Sequence, residues 1–422
     1  MVRTMGRSTS ARGDHPATRS CESPHVSRRS GTSSSKCHAT RVMRPHIPFL
    51  AIPTTRPAGA VILGLGLITL AVTGCRRSGH DGSIIRIGIA ADLKRPNMQT
   101  VLRGAELAID QLNSEGGDSR FELAKPPEHA TGAVEIAAAF RDDPSVVAVV
   151  GPADSRSSRE AAPIYADEDG GGRHALAAVS PTSTSMSLTG LSSWLFRVCP
   201  SDAASSRAAA RYVLDSLGLK RASIMYRNDS YGRGWSAAFT EAFAADGGIV
   251  LEKNPHFADM NDWRAYAGII KLTSPQIVLF PGSPADLAGF VRALRAINAD
   301  TPILGGDATS ELEAQAREFA GVRYVAFFQA SRAESPAAKA FVTAFMRKYG
   351  VMPEQRSALA YDATMLIGRA ALEGGATRAG VRDYLASIGR SRDAANGATG
   401  RIAFDQQHDV VDKPIVIATV GK

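Results

Sequence analysis

The chain reads as an α/β protein built from two doubly wound lobes. Three observations carry that reading: apolar runs alternate with amphipathic stretches, the length exceeds one core, and the alternation breaks near its middle. The runs are Ile84–Ala91, Val146–Gly151, Ala175–Ser180, Ala222–Tyr226, Gln276–Phe280, Pro302–Leu304 and Tyr324–Phe328. Between them lie stretches such as Val101, Ala105, Ala108, Ile109 and Leu112, at helical spacing. Short runs that are apolar throughout, joined by helices, predict parallel strands covered on both faces. Right-handed crossovers then leave few topologies besides doubly wound sheets.

About 340 residues follow the first run, more than a single core usually serves. The break falls at Arg197–Asp202, where Pro200 and Ser201-Asp202 interrupt the pattern before a helix starting near Ala203. Later crossings are expected near Gln329–Glu334 and Gly400–Asp405. The expected lobes are 84–199 with 331–401, and 200–330 with 402–422. Asp169-Gly170-Gly171-Gly172-Arg173 is expected as a surface loop, since no helix opens behind it to hold a phosphate.

Ahead of the first run lies a 17-residue uncharged stretch, Ala58 to Gly74, ending in Leu70-Ala71-Val72-Thr73-Gly74-Cys75. That junction resembles the lipobox of bacterial lipoproteins. The stretch is shorter than the roughly 20 apolar residues that span a bilayer, and Arg41, Arg44 and Arg56 precede it. The resemblance implies removal of residues 1–75 up to an acylated Cys75, a short tether at 76–83, and an exported, membrane-anchored product. An uncleaved anchor is the alternative. The first forty residues, rich in Ser, Arg and Thr, lack apolar periodicity and read as disordered or as an over-long gene start, with Met43 a better beginning.

The chain carries 49 Lys+Arg and 41 Asp+Glu, and residues 1–75 hold ten and two of these, leaving 39 of each beyond Cys75. The basicity belongs to the leader, so no nucleic-acid partner is implied. Cys21 and Cys37 also lie in the leader. Beyond Cys75 only Cys199 remains, so no disulfide forms within the mature chain, and its apolar context Phe196-Arg197-Val198-Cys199-Pro200 reads as core.

Doubly wound sheets bind ligands outside the carboxyl ends of their strands. Two such ends carry hydroxyl-rich loops: Gly151-Pro152-Ala153-Asp154-Ser155-Arg156-Ser157-Ser158 and Ser180-Pro181-Thr182-Ser183-Thr184-Ser185. Together they offer hydroxyls and helix N-terminal amides to one oxyanion; each alone reads equally as helix capping. In the second half, Asp307 follows a strand directly and is placed either to meet a ligand ammonium or to cap a helix at Ser310. Tyr231, in Asn228-Asp229-Ser230-Tyr231-Gly232, is placed either to cover a ligand or to pack on the surface.

Ile87-Gly88-Ile89, Arg103-Gly104-Ala105-Glu106-Leu107-Ala108, Asn113-Ser114-Glu115-Gly116-Gly117, Val150-Gly151-Pro152, Ser180-Pro181-Thr182 and Tyr231-Gly232-Arg233-Gly234 occur in order. This set resembles the periplasmic leucine/isoleucine/valine-binding protein family, the type I solute-binding components of ABC importers. The resemblance covers Ile84 to the C-terminus. It implies a type I periplasmic binding protein fold, with two lobes joined by three hinge strands and closing on a small amino-acid-like ligand. It also implies an ABC transporter permease as partner. By the same resemblance Ser155 holds the ligand carboxylate, Thr182 and Thr184 contact carboxylate and amine, Asp307 pairs with the amine, and Tyr231 acts as a lid. No cofactor or metal is implied.

Two departures stand out. The loop after the first strand, Asp92-Leu93-Lys94-Arg95-Pro96-Asn97-Met98, is bulky and cationic where the family is small and glycine-rich, and Ser283 stands where an aromatic is common. Both unsettle a branched aliphatic ligand. A sensing or regulatory lipoprotein of the same fold is the alternative function. No enzyme is expected, since there is no His-Glu-x-x-His, Gly-x-Ser-x-Gly, Walker loop or Cys-x-x-Cys, and His174, His256 and His408 are scattered.

Overall fold

The computed structural model describes residues 83–258 and 260–421. The expectations placed on residues 1–75, Cys75 among them, and on the tether up to residue 82 lie outside the described residues.

The first lobe is built from β1 (Ile84–Ile89), α1 (Met98–Ser114), β2 (Arg120–Ala124), α2 (Ala133–Asp142), β3 (Val146–Val150), α3 (Ser155–Tyr165), β4 (Ala177–Ser180) and β5 (Leu195–Arg197). Its five strands are parallel in the order β2-β1-β3-β4-β5. β3, Val-Val-Ala-Val-Val, is buried at every position because helices cover both faces. The second lobe follows with α4 (Asp202–Arg211), β6 (Arg221–Arg227), α5 (Ser230–Ala245), β7 (Ile249–His256), α6 (Arg264–Thr273), β8 (Ile277–Phe280), α7 (Pro284–Ala296), β9 (Ile303–Gly305), α8 (Ala316–Phe319) and β10 (Arg323–Ala326).

The chain then returns to the first lobe through α9 (Pro336–Tyr349), α10 (Gln355–Gly374), α11 (Arg378–Ser387) and the hairpin β11 (Ala395–Gly397) and β12 (Gly400–Ile402). α10 packs along α1, and both α10 and α11 lie against strands of the first sheet. The last strand, β13 (Val416–Thr419), goes back to close the second sheet in the order β13-β10-β9-β8-β6-β7, antiparallel to β10. The chain therefore passes between the sheets three times. At the third passage the first lobe keeps its hold longer than the Gly400–Asp405 reading expects. The Phe404 N–H donates to the Ile388 carbonyl at 3.0 Å and the Arg197 N–H to the His408 carbonyl at 3.2 Å. The buried Arg197 guanidinium also pairs with Asp409 and donates to the carbonyls of Thr184 and Ser185.

All seven apolar runs are strands. The four other strands of the two main sheets, β2, β5, β7 and β13, were not among those runs, and each is a sheet edge. Edge strands bury only part of their surface, so they lack the continuous apolar signature. Cys199 is fully buried, and burial pushes its thiol far above the ordinary range, as a core residue requires. The glycine-rich segment after Asp169 is an exposed turn. His256 and His408 are buried and stack on Phe280 and Phe196, and burial lowers the pKa of each.

Candidate functional site

The carboxyl ends of β3 and β4 face those of β6, β8 and β9 across a cleft of about 480 Å³. Ser155, Thr182, Tyr231 and Asp307 all line it. Two lobes that are far apart in sequence thus bring four of the five expected residues to one cavity.

On the first-lobe wall, β3 turns sharply at Gly151, whose φ is 108°. A Cβ there would meet the Ala90 carbonyl oxygen at 2.6 Å, so only glycine fits. The turn delivers Asp154 as N-cap of α3: its carboxylate accepts from the Ser157 N–H at 2.9 Å and the Ser157 hydroxyl at 2.8 Å. With the cap supplied by Asp154, Ser155 is released from that role. The Ser155 Oγ accepts from the Ser185 N–H at 3.2 Å, which leaves its own proton for another acceptor. The Ser155 and Arg156 amides that open α3 have no intrahelical acceptor, so the wall is suited to an oxyanion. Thr182 presents its side chain to the cleft while its hydroxyl donates to the Ala153 carbonyl at 2.6 Å.

Thr184 departs from the sequence reading. It is buried and does not line the cleft, and its carbonyl accepts from the Asp202 N–H at 2.7 Å and from Arg197 at 2.9 Å. Its loop is drawn toward the first crossing by that guanidinium, which the pattern of hydroxyl residues did not reveal.

On the second-lobe wall, Asp229 caps α5 through the Gly232 N–H at 2.8 Å and places Tyr231 in the first turn. The Tyr231 hydroxyl donates to Asp307 Oδ1 at 2.9 Å. Gly306 makes this contact possible, because a Cβ there would sit 1.9 Å from the tyrosine oxygen. Asp307 makes no capping bond to the helical turn it opens; Gly306 occupies the cap position. Burial raises the Asp307 pKa, against the stabilising effects of Tyr231 and Arg356. Its carbonyl accepts from Gln355 Nε2 at 2.7 Å, and Gln355 Oε1 takes the Phe327 N–H at 2.9 Å. Gln355 at the start of α10 therefore joins the acidic loop to the second crossing.

Sequence reasoning missed the charged groups that share the cleft. Arg227, at the end of β6, lies 3.2 Å from Asp229 and 3.7 Å from Asp286; Arg356 lies 2.6 Å from Glu311. The position of Arg227 at a strand's carboxyl end was an available signal. Arg356 had none, since it arrives from the returning segment. Of the cationic loop residues, Arg95 lines the cleft and sits 3.6 Å from Asp154, whereas Lys94 donates to the Glu128 carbonyl and stays outside. Ser283 caps α7 and donates to Asp286 at 2.6 Å.

Two doubly wound lobes with a polar cleft between their strand ends define a two-lobed binding protein. A family model described as periplasmic binding protein matches residues 85–422, and the chain belongs to that family. A Leu/Ile/Val-binding protein of Rhizobium johnstonii is 29% identical over 274 residues, covering 63% of this chain and 72% of the relative. An amino acid binding protein of Pseudomonas aeruginosa is 28% identical over 242 residues, 54% of this chain and 62% of the relative. Among solved structures, a branched-chain amino acid transporter substrate binding protein of Streptococcus pneumoniae in complex with isoleucine superposes with a TM-score of 0.70. It is 26% identical, over 80% of this chain and 95% of that one. These relatives are solute-binding proteins, and this chain is a binding protein, not an enzyme.

Proposed function

We propose that the protein is an exported, lipid-anchored solute-binding protein. It captures a small amino-acid-like zwitterion between its lobes and delivers it to an ABC transporter permease. The observation that carries the reading is the convergence of Ser155 and Thr182 from one lobe with Tyr231 and Asp307 from the other on one cleft. The Ser155 hydroxyl and helix amides take the carboxylate, with Thr182 shaping that wall, and the acid takes the ammonium through a charge-assisted bond. The isoleucine held by the Streptococcus pneumoniae protein, and the leucine held by a substrate-binding protein of Desulfitobacterium hafniense, support an α-amino acid.

In this reading 84–199 with 331–401 and 200–330 with 402–422 turn as two bodies about the three crossings. The bonds of Phe404 and His408 to the first lobe favour a third hinge point beyond Asp409. The ligand favours closure only through contacts better made in the closed form. Shifting the open-to-closed ratio from 99:1 to 1:99 takes about 5.5 kcal/mol of differential binding. An ammonium–carboxylate bond formed on closure, with burial of the ligand under Tyr231, is of that order.

Thermal-shift screening of residues 76–422 against amino acids and small carboxylates tests the reading, with small-angle scattering on the best hit. The expected result is a raised melting temperature and a smaller radius of gyration. Stabilisation confined to ligands without an amine would contradict it. For the anchor, Cys75→Ser should end metabolic labelling with palmitate, and continued labelling would overturn that part.

A further inference from the structure

The part of the cleft beyond Ser155, Tyr231 and Asp307 is walled by charges that are already paired. Toward the interior these are Arg227 with Asp229 and Asp286, and Arg356 with Glu311. At the rim Arg95 meets Asp154 at 3.6 Å and Arg156 meets Glu160 at 2.8 Å. Acids outnumber arginines, but α3, α5 and α7 all aim their N-termini here, each adding a partial positive charge. Among the described residues no leucine, isoleucine, valine, phenylalanine or tryptophan lines the cavity; its apolar surface comes from Met98, Pro284, Tyr231 and alanines.

Three kinds of ligand side group can be weighed against this wall. A branched aliphatic group would strip water from ion pairs and gain little apolar contact in return. A further ion, of either sign, would find its natural partners engaged and leave a charge uncompensated. An uncharged group that donates and accepts can add bonds to guanidinium N–H groups and carboxylate oxygens without breaking any pair.

We propose, resting on the zwitterion reading above, that the ligand carries an uncharged side group of carboxamide type, read by Arg227 and Arg356 with their acidic partners. The cleft of this chain then differs in specificity from those of its leucine- and isoleucine-binding relatives.

Calorimetric titration of the purified protein with glutamine, asparagine, leucine, glutamate and lysine tests this. One of the carboxamides should bind at least tenfold more tightly than the other three. If leucine, glutamate or lysine binds tightest, the inference is overturned and the amino-acid reading stands. If none of the five binds, the inference is overturned, and the wider amino-acid reading is decided by the thermal-shift screen. The double variant Arg356→Leu/Glu311→Leu should narrow the preference for carboxamide over leucine by about tenfold, and an unchanged preference contradicts the assigned role. Arg356→Lys gives the same readout if the double variant does not fold, since a lysine keeps the charge and loses the planar fork.

Discussion

Among the described residues, two of the cavities are of nearly equal size and differ in what lines them. The cleft between the lobes, about 480 Å³, is lined by ion pairs, helix N-termini and hydroxyls. The second, about 490 Å³, lies behind the first lobe among α1, α9, α10, α11 and the β11–β12 hairpin, with Leu107, Met365, Leu366, Ile388 and Ile402 on its walls. Volume alone does not separate them. Position does: only the cleft is bordered by strand carboxyl ends from both sheets. A molecule in the rear cavity would touch only first-lobe and returning segments, so hinge rotation neither makes nor breaks its contacts. The comparison teaches that, if the lobes rotate as proposed, only a ligand shared between them can favour closure.

Substitutions in the two cavities should therefore have different consequences. The largest effect is expected from Asp307→Ala, which leaves the ligand ammonium without its counter-charge and should weaken binding of the best amino acid at least a hundredfold by calorimetry. Retained affinity would contradict its role. Leu366→Ala in the rear cavity should lower unfolding free energy by about 2–5 kcal/mol, measured by urea denaturation, and leave affinity unchanged. A matching loss of affinity would break the separation between the two cavities. Ser155→Ala removes one donor and should cost about 1–3 kcal/mol of binding, with stability nearly untouched.

A separate, pH-dependent effect is expected at the first crossing. Asp202, fully buried at the start of α4, has its carboxyl pushed up to about 8, chiefly by burial, which outweighs the nearby Thr184 hydroxyl and Arg197. In the unfolded chain the same group ionises near its ordinary value of 3.8. Between those values the folded protein holds a proton that the unfolded chain has released, so this contribution to stability declines as pH rises from about 4 to about 8. Asp202→Asn should flatten that decline in urea midpoints taken across the range. An unchanged slope would show that the carboxyl does not titrate as described.

Much of the architecture was legible because its central strands are buried on both faces and write continuous apolar runs. The edge strands β2, β5, β7 and β13 were not, since half-exposed strands such as Ile249–His256 are interrupted by glutamate, lysine and asparagine. At the site, residues close behind strands could be anticipated: Ser155, Thr182 and Asp307 each lie within a few residues of a strand's carboxyl end. Thr184 lies off the cleft lining, and no local pattern signals this because the guanidinium that holds its loop is thirteen positions away. Arg356 was invisible for a similar reason. It comes from a segment that rejoins the first lobe after a whole second lobe has intervened, and no local pattern signals that return.

The most direct test of the central claim is a calorimetric series on the best amino-acid ligand, its des-amino analogue and its methyl ester. A zwitterion held by Ser155 and the α3 amides at one end and by Asp307 at the other should lose at least a hundredfold in affinity on removal of either charge. If the des-amino analogue binds as tightly as the parent, Asp307 is not the ammonium partner and the two-ended account is wrong.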